Sequence, residues 1–295
     1  MPLGIRPIVD FVFRLLFSDL QNADLLMDLL NAILTPDDPI VEVKILNPFS
    51  LKRFAKGKVS IVDVKARDSL GNWYVIEIQT TLPQGLLNRL VFYLCDLYRG
   101  QMSEGETYSE LRPAICICLL TEPLFSGTTN ARWEFRLHDV KHRRSLGDQL
   151  QLHLVELSKY DLDAASLFMA TRLEKWVYFL NEAQSLDEAR LRRLFPDPIF
   201  QKAIGVLAMV SRKPPYRMMY DDQQKAKLDQ FSALKDAVSE GEARGEARGE
   251  ARGRIKTLQQ ILGIAQTDDE TLSKLPFDKL EKLSLELQRK VAARK

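Results

Sequence analysis

Asp63, Glu77 and Gln79, with Lys65 two residues after the first of them, have the residue types and the spacing to hold a divalent cation and its surrounding oxygens. Two runs rich in β-branched and aromatic residues, 60–67 and 72–79, flank Asp68-Ser-Leu-Gly-Asn72, whose Gly and Asn supply turn chemistry, so the segment reads as a β-hairpin. A hairpin centred near Leu70 sets Asp63 across from Glu77, Lys65 from Val75 and Ile61 from Gln79. One face then carries Asp63, Lys65, Glu77 and Gln79. The other carries Val62, Val64, Ala66, Tyr74, Ile76 and Ile78, the apolar set a sheet needs to pack onto helices.

Two directly opposed carboxylates repel unless a positive charge sits between them. Mg²⁺, or Mn²⁺ in its place, takes a few carboxylates plus water and phosphate oxygens, and it can polarise a phosphodiester and orient an attacking water. In that reading Asp63 and Glu77 bind metal while Gln79 and Lys65 position water or phosphate. The competing reading needs no metal: Lys65 and Arg67 neutralise Asp63 and Glu77 in an exposed ion-pair cluster. The stretch ahead of the hairpin weighs for the first. Lys52, Arg53, Lys56, Lys58, Lys65 and Arg67 stand against the single acid Asp63, so a basic loop suited to DNA phosphates leads into the acidic pair.

These residues need a scaffold, and the flanking sequence describes one. Residues 8–18 read as a helix, with Asp10 and Arg14 spaced i,i+4, and 22–34 as a second that buries Leu25, Leu26, Leu29, Leu30 and Ile33. Pro36 and Pro39 stop it, and 41–46 is a short strand. After the hairpin, 85–101 returns to helical spacing with Leu86, Leu87, Leu90, Val91, Leu94 and Leu97 on a broad apolar face. Residues 114–120 form a continuous apolar run that suits a buried central strand. Strands at 133–138 and 151–157 follow, then helices at 161–183 and 186–209 with Trp176, Phe179 and Leu180 as core.

Composition excludes several other chemistries. The 42 Lys and Arg nearly balance the 40 Asp and Glu, so the net charge of +2 is no argument for a polyanion partner by itself. Cys95, Cys116 and Cys118 are odd in number and two lie inside an apolar run, which fits a reduced, cytoplasmic protein. No apolar run approaches the ~18 residues of a membrane span. His138 and His142 lack a third ligand for zinc, and there is neither a Gly-rich phosphate loop nor a Ser-His-Asp or Cys-His arrangement.

From Glu240 the chain runs Glu-Gly-Glu-Ala-Arg-Gly-Glu-Ala-Arg-Gly-Glu-Ala-Arg-Gly. Each Gly costs a helix about 1 kcal/mol and the Glu residues repel at i,i+4, which favours a linker. The alternative is a helix whose Gly, Glu and Arg stripes let two copies approach and pair by charge. Leu280, Leu283, Leu287 and Val291 share one helical face in the tail, a spacing for docking onto the body or for self-association. The expected organisation is a core over 1–160, a helical accessory region over 161–239, a repeat linker or helix over 240–256 and an amphipathic helical tail over 257–295. Assembly into a homo-oligomer through the repeat and tail stays open.

A wider set of residues now joins the hairpin. Pro7, Asp10, Phe13, Arg14 and Phe17 open the chain, followed by Leu29-Leu30-Asn31-Ala32-Ile33-Leu34. Asp63-Val-Lys65-Ala-Arg-Asp68 leads to Gly71 and Ile76-Glu77-Ile-Gln79, with Arg89, Tyr93, Gly105-Glu106, Tyr108, Leu111 and Trp133-Glu134-Phe135 downstream. Together they resemble the Rpn family of recombination-promoting nucleases and transposases, within the PD-(D/E)XK nuclease superfamily. The resemblance extends through the Gly-Glu-Ala-Arg repeat. It implies an α/β fold, with an αβββαβ core, a mixed sheet flanked by helices, and a mainly helical C-terminal part. It also implies a Mg²⁺-dependent DNA endonuclease that hydrolyses phosphodiester bonds in DNA recombination or mobile-element movement. Residue by residue, Asp63 and Glu77 take the acidic positions, Asp10 adds a further acidic group to the metal site, and Arg89 contacts phosphate. Gln79 takes the position that is Lys in the superfamily's name. Gln carries no charge, so either Lys65 supplies it, or the chain is a catalytically weak or inactive nuclease-fold protein that binds DNA and assembles. Arg14 stands where Lys is expected.

Overall fold

The computed structural model describes residues 1–51 and 62–293. The chain divides into two compact units, Met1–Gln224 and Lys225–Lys295.

In the first unit, a turn sets the register of the central hairpin. Asp68 accepts hydrogen bonds from the Asn72 backbone N–H and side-chain amide, both at 2.9 Å, and from the Tyr74 hydroxyl at 2.7 Å. Gly71 supplies the positive φ of 91° that the turn requires. The strands β2 (Val64–Asp68) and β3 (Trp73–Gln79) therefore pair as Val64 with Ile76 and Lys65 with Val75, the register expected from the turn. With β1 (Val43–Ile45), β4 (Ala114–Leu120), β5 (Arg132–Arg136) and β6 (Leu150–Glu156) they form a mixed sheet in the order β1-β2-β3-β4-β6-β5. β3, β4 and β6 run parallel, and the two outer sides are antiparallel.

Alternation sorts the sheet into two apolar faces. Val64, Ala66, Tyr74, Ile76, Ile78, Ile115, Ile117 and Leu119 pack in one core with α1 (Asp10–Phe17), α2 (Ala23–Leu34), α4 (Arg172–Glu182), α5 (Glu188–Leu194) and α6 (Pro198–Arg212). Val75, Cys116, Cys118, Leu152 and Leu154 pack on the opposite side against α3 (Leu86–Arg99). This is the expected αβββαβ arrangement, a mixed sheet flanked by helices with a long helical C-terminal part.

Four expectations need correction. Val62 packs with Val75 and α3 rather than with Val64 and Ile76, because residues 62 and 63 form a bend ahead of β2 and the strand's alternation ends there. The buried stripe of α3 is narrower than expected: Leu86, Leu90, Leu94 and Leu97 are buried, but Leu87 and Val91 are 42% and 49% exposed. Helix does not begin at 161. It begins at Arg172, where Thr171 and Glu174 form a capping box. The expected helix over 186–209 is two helices, because Asp197 caps a new one with Pro198 in its first turn.

In the second unit the whole repeat is helical, inside α7 (Pro214–Leu262). Packing supports its C-terminal end: Ala251 of the repeat and Ile255, Leu258 and Leu262 just after it share a core with Leu272 of α8 (Asp269–Lys274) and with Leu280, Leu283, Leu287 and Val291 of α9 (Phe277–Ala292). The apolar face of the tail is thus used within its own unit. Space is open where Cβ atoms would stand on Gly241, Gly245, Gly249 and Gly253. Replacing all four by Ala is expected to stabilise this helix by up to about 4 kcal/mol, at roughly 1 kcal/mol each, read as a higher urea midpoint for loss of helical circular dichroism. Among the described residues no helix is long and apolar enough to cross a membrane.

Candidate active site

Asp63 lies in the bend just before β2, and Asn47 fixes the backbone around it. The Asn47 amide donates to the Val62 carbonyl at 3.1 Å and its carbonyl oxygen accepts from the Lys65 N–H at 2.6 Å. Glu77 projects from β3 toward the same place. The two groups lock reciprocally: the Asp63 N–H donates to Glu77 Oε1 at 3.2 Å, and the Ile78 N–H donates to Asp63 Oδ2 at 2.9 Å. Both residues are buried, at 7% and 4% exposure. The Gln79 amide donates to Glu77 Oε2 at 3.3 Å.

Helix α1 brings the balancing cation. Arg14, itself buried, donates from Nη2 to Asp63 Oδ1 at 3.1 Å and from Nε to Asp10 Oδ1 at 2.6 Å. Gln223 of α7 donates to the other Asp10 oxygen at 3.2 Å. From α3, the Arg89 charge reaches Glu77, and its buried Nε–H has no hydrogen-bond partner among the described residues.

This arrangement separates the three acids electrostatically. Burial pushes Glu77 up to about 7, against the Asp63 N–H and the charges of Arg89 and Arg14. Burial also drives Asp63 well above the usual carboxylate range, reinforced by the Glu77 and Asp10 charges. Burial acts on Asp10 in the same direction, but its hydrogen bonds with Asp63, Arg14 and Gln223 and the Arg14 charge outweigh it and hold that carboxyl low. Burial thus favours the protonated form of both Asp63 and Glu77.

A hard divalent ion fits this donor set. Both groups offer oxygen, burial keeps both carboxyls raised although Arg14 pairs with Asp63 and the charges of Arg89 and Arg14 reach Glu77, and among the described residues Glu77 forms no ion pair. No three His, Cys, Asp or Glu side chains gather to hold a metal among those residues. Two carboxylates completed by water and phosphate suit Mg²⁺ or Mn²⁺ and not the closed tetrahedral set of structural zinc.

The other expected site residues are dispersed. Lys65 Nζ lies 5.1 Å from the centre of the Trp73 ring, and the Arg67 guanidinium lies 5.7 Å from the same ring. Neither pairs with the carboxylates, so the cluster in which these two cations neutralise the acids does not form among the described residues. Lys52, Arg53, Lys56, Lys58 and the Ile61 side of the Gln79 pairing lie outside the described residues. Sequence reasoning missed Asn47, Gln223 and the link from Arg14 to Asp63. The i,i+4 spacing of Asp10 and Arg14 was a visible signal for the last. Gln223 sits 213 residues from Asp10 and had none.

A family model described as PD-(D/E)XK nuclease family transposase matches residues 7–237. No curated protein and no solved structure matches the chain. Nucleases of this family hydrolyse phosphodiester bonds and generally use divalent metals. The matched span takes in the whole sheet, α1 and α3, and the chain belongs to the PD-(D/E)XK nuclease family transposases.

Proposed function

We propose that this chain is a divalent-metal-dependent DNA endonuclease in which Asp63 and Glu77 hold Mg²⁺ or Mn²⁺, and that it serves DNA recombination or mobile-element movement. The observation that carries this reading is the buried acid pair, held together by the Asp63 N–H donating to Glu77 and the Ile78 N–H donating to Asp63, whose carboxyls are both pushed up. The Arg14 ion pair to Asp63 and the charges of Arg89 and Arg14 on Glu77 do not offset that burial. The bound ion would polarise the scissile phosphate and make its water more acidic.

The chain's own groups do the remaining work. Arg14 anchors Asp63 through Oδ1 and works with Asp10 as its support. The orphan Nε–H of Arg89 is the natural donor to a phosphate oxygen beside Glu77. Gln79 orients Glu77 through Oε2, which leaves the amide carbonyl to accept a hydrogen bond from the attacking water. Lys52, Arg53, Lys56, Lys58 and Arg67 contact the DNA backbone. A second reading, DNA binding and assembly without cleavage, is favoured by the position of Lys65 over Trp73, away from the uncharged Gln79.

Incubation with supercoiled plasmid tests the two readings. Nicked or linear product is expected with Mg²⁺ or Mn²⁺ and none with excess chelator. Intact plasmid under both ions, with DNA still bound, establishes the second reading instead.

A further inference from the structure

Beside the acid pair, on the same face of the sheet, lies a small pocket of about 210 Å³. Val62 and Val75 form aliphatic walls, Phe92 and Tyr93 of α3 form aromatic ones, and Lys65 and Asp96 stand among the lining as the polar groups. Its connection to the site is covalent as well as spatial: Val62 directly precedes Asp63, and Val75 is two residues before Glu77 on the same face of β3. Alternate residues of a strand are about 7 Å apart, so the pocket begins roughly one nucleotide spacing from the carboxylates. Tyr93 lies one helical turn after Arg89, and its hydroxyl feels the charges of Glu77 and Asp63.

The lining defines the occupant. Drug-sized ligands need pockets of about 300–1,000 Å³, so this one admits a single flat group. Phe92 is 67% exposed, and its ring stands at 61° to the half-buried Tyr93 ring with centres 6.2 Å apart. Accessible aromatic rings next to an ammonium and a hydrogen-bond acceptor are what an unpaired base stacks on while its phosphate is held. We infer that the pocket receives one unstacked nucleobase next to the scissile phosphate, which makes single-stranded or locally unpaired DNA the preferred substrate. This inference rests on the endonuclease reading, because the pocket is placed by its neighbourhood to that site. A fully paired duplex would have to open a base first, and that cost is least where a base is already unpaired.

The test uses the full chain, a fluorescein-labelled single strand and its fully paired duplex, with binding followed by anisotropy in chelator and plasmid cleavage followed with Mg²⁺. The single strand is expected to bind at least roughly tenfold tighter than the duplex. Phe92→Ala is expected to weaken single-strand binding by roughly tenfold or more and leave duplex binding nearly unchanged, and Phe92→Trp to restore it. Equal affinity for both DNAs in the parent chain, or an unchanged preference in Phe92→Ala, overturns the inference. A dimer in sedimentation that Phe92→Ala turns into a monomer, with DNA affinities unaltered, overturns it in favour of a protein contact on α3. The parent reading fails separately: a plasmid and a labelled single strand both left intact with Mg²⁺, with the strand preference preserved, remove the nuclease and keep the base pocket, while cleavage without the preference does the reverse.

Discussion

Glu77→Gln and Asp63→Asn are each expected to cut plasmid cleavage by roughly a thousandfold or more, since the metal proposed to sit on these two acids would be worth several kcal/mol to the transition state and each 1.36 kcal/mol is tenfold. The same variants keep or gain stability without metal. The sign follows from Glu77, whose carboxyl is ordinarily near 4.5 and is pushed up to about 7 in the folded chain by burial. A raised carboxyl means the folded form binds the proton more tightly, so stability falls as pH rises from about 4.5 to about 7 and the full cost remains above that. The cost is on the order of 3 kcal/mol, at 1.36 kcal/mol per pH unit. Gln keeps a carbonyl for the Asp63 N–H but never ionises, so it removes the cost. Urea unfolding in chelator near neutral pH, set beside plasmid cleavage, reads both quantities. Variants that lose stability and activity together would make the acids part of the scaffold and sink their catalytic assignment.

The second large effect is on pH and metal together. Because burial raises the Glu77 and Asp63 carboxyls in the folded chain, a divalent ion binding between them competes with protons. Mg²⁺ affinity measured by calorimetry is expected to rise about tenfold for each pH unit up to about 7 for the one proton on Glu77, and more steeply where Asp63 also yields its proton. Buffers of different ionisation enthalpy report the released protons directly. Saturation at a hundred times the dissociation constant adds about 2.7 kcal/mol of stability, so metal should reverse the loss that the metal-free chain suffers toward neutral pH. An affinity that stays flat across this range would place the metal elsewhere.

The hairpin was legible in sequence because its information is local. A turn with Asp68, Gly71 and Asn72 fixes the centre, and a period of two then assigns every facing pair from Val64 to Arg67. The rule fails in the bend at residues 62 and 63 ahead of the strand, which is why Val62 falls to the α3 side. Helices were overextended where apolar spacing continued past a boundary that only capping marks, as at Thr171 and Asp197. The repeat was harder, because local propensity argues against the helix and the partners that sustain it, Leu280 and Leu287, stand some distance along the chain. Around the acids, the groups that hold them come from afar. Asn47 fixes the bend, Arg14 reaches Asp63 from α1 and Gln223 reaches Asp10 from α7. Such contacts are made by tertiary folding and leave no period to read.

Asp68 takes part in no chemistry, yet it decides whether the chemistry can happen. Its three hydrogen bonds to Asn72 and Tyr74 serve as an alignment pin at the far end of the hairpin. A slip of one residue there would turn Glu77 into the apolar core and leave Asp63 facing nothing. The accuracy of the acid pair is therefore stored where no substrate comes, and damage at the turn would appear as a chain that still grips its substrate and no longer cuts.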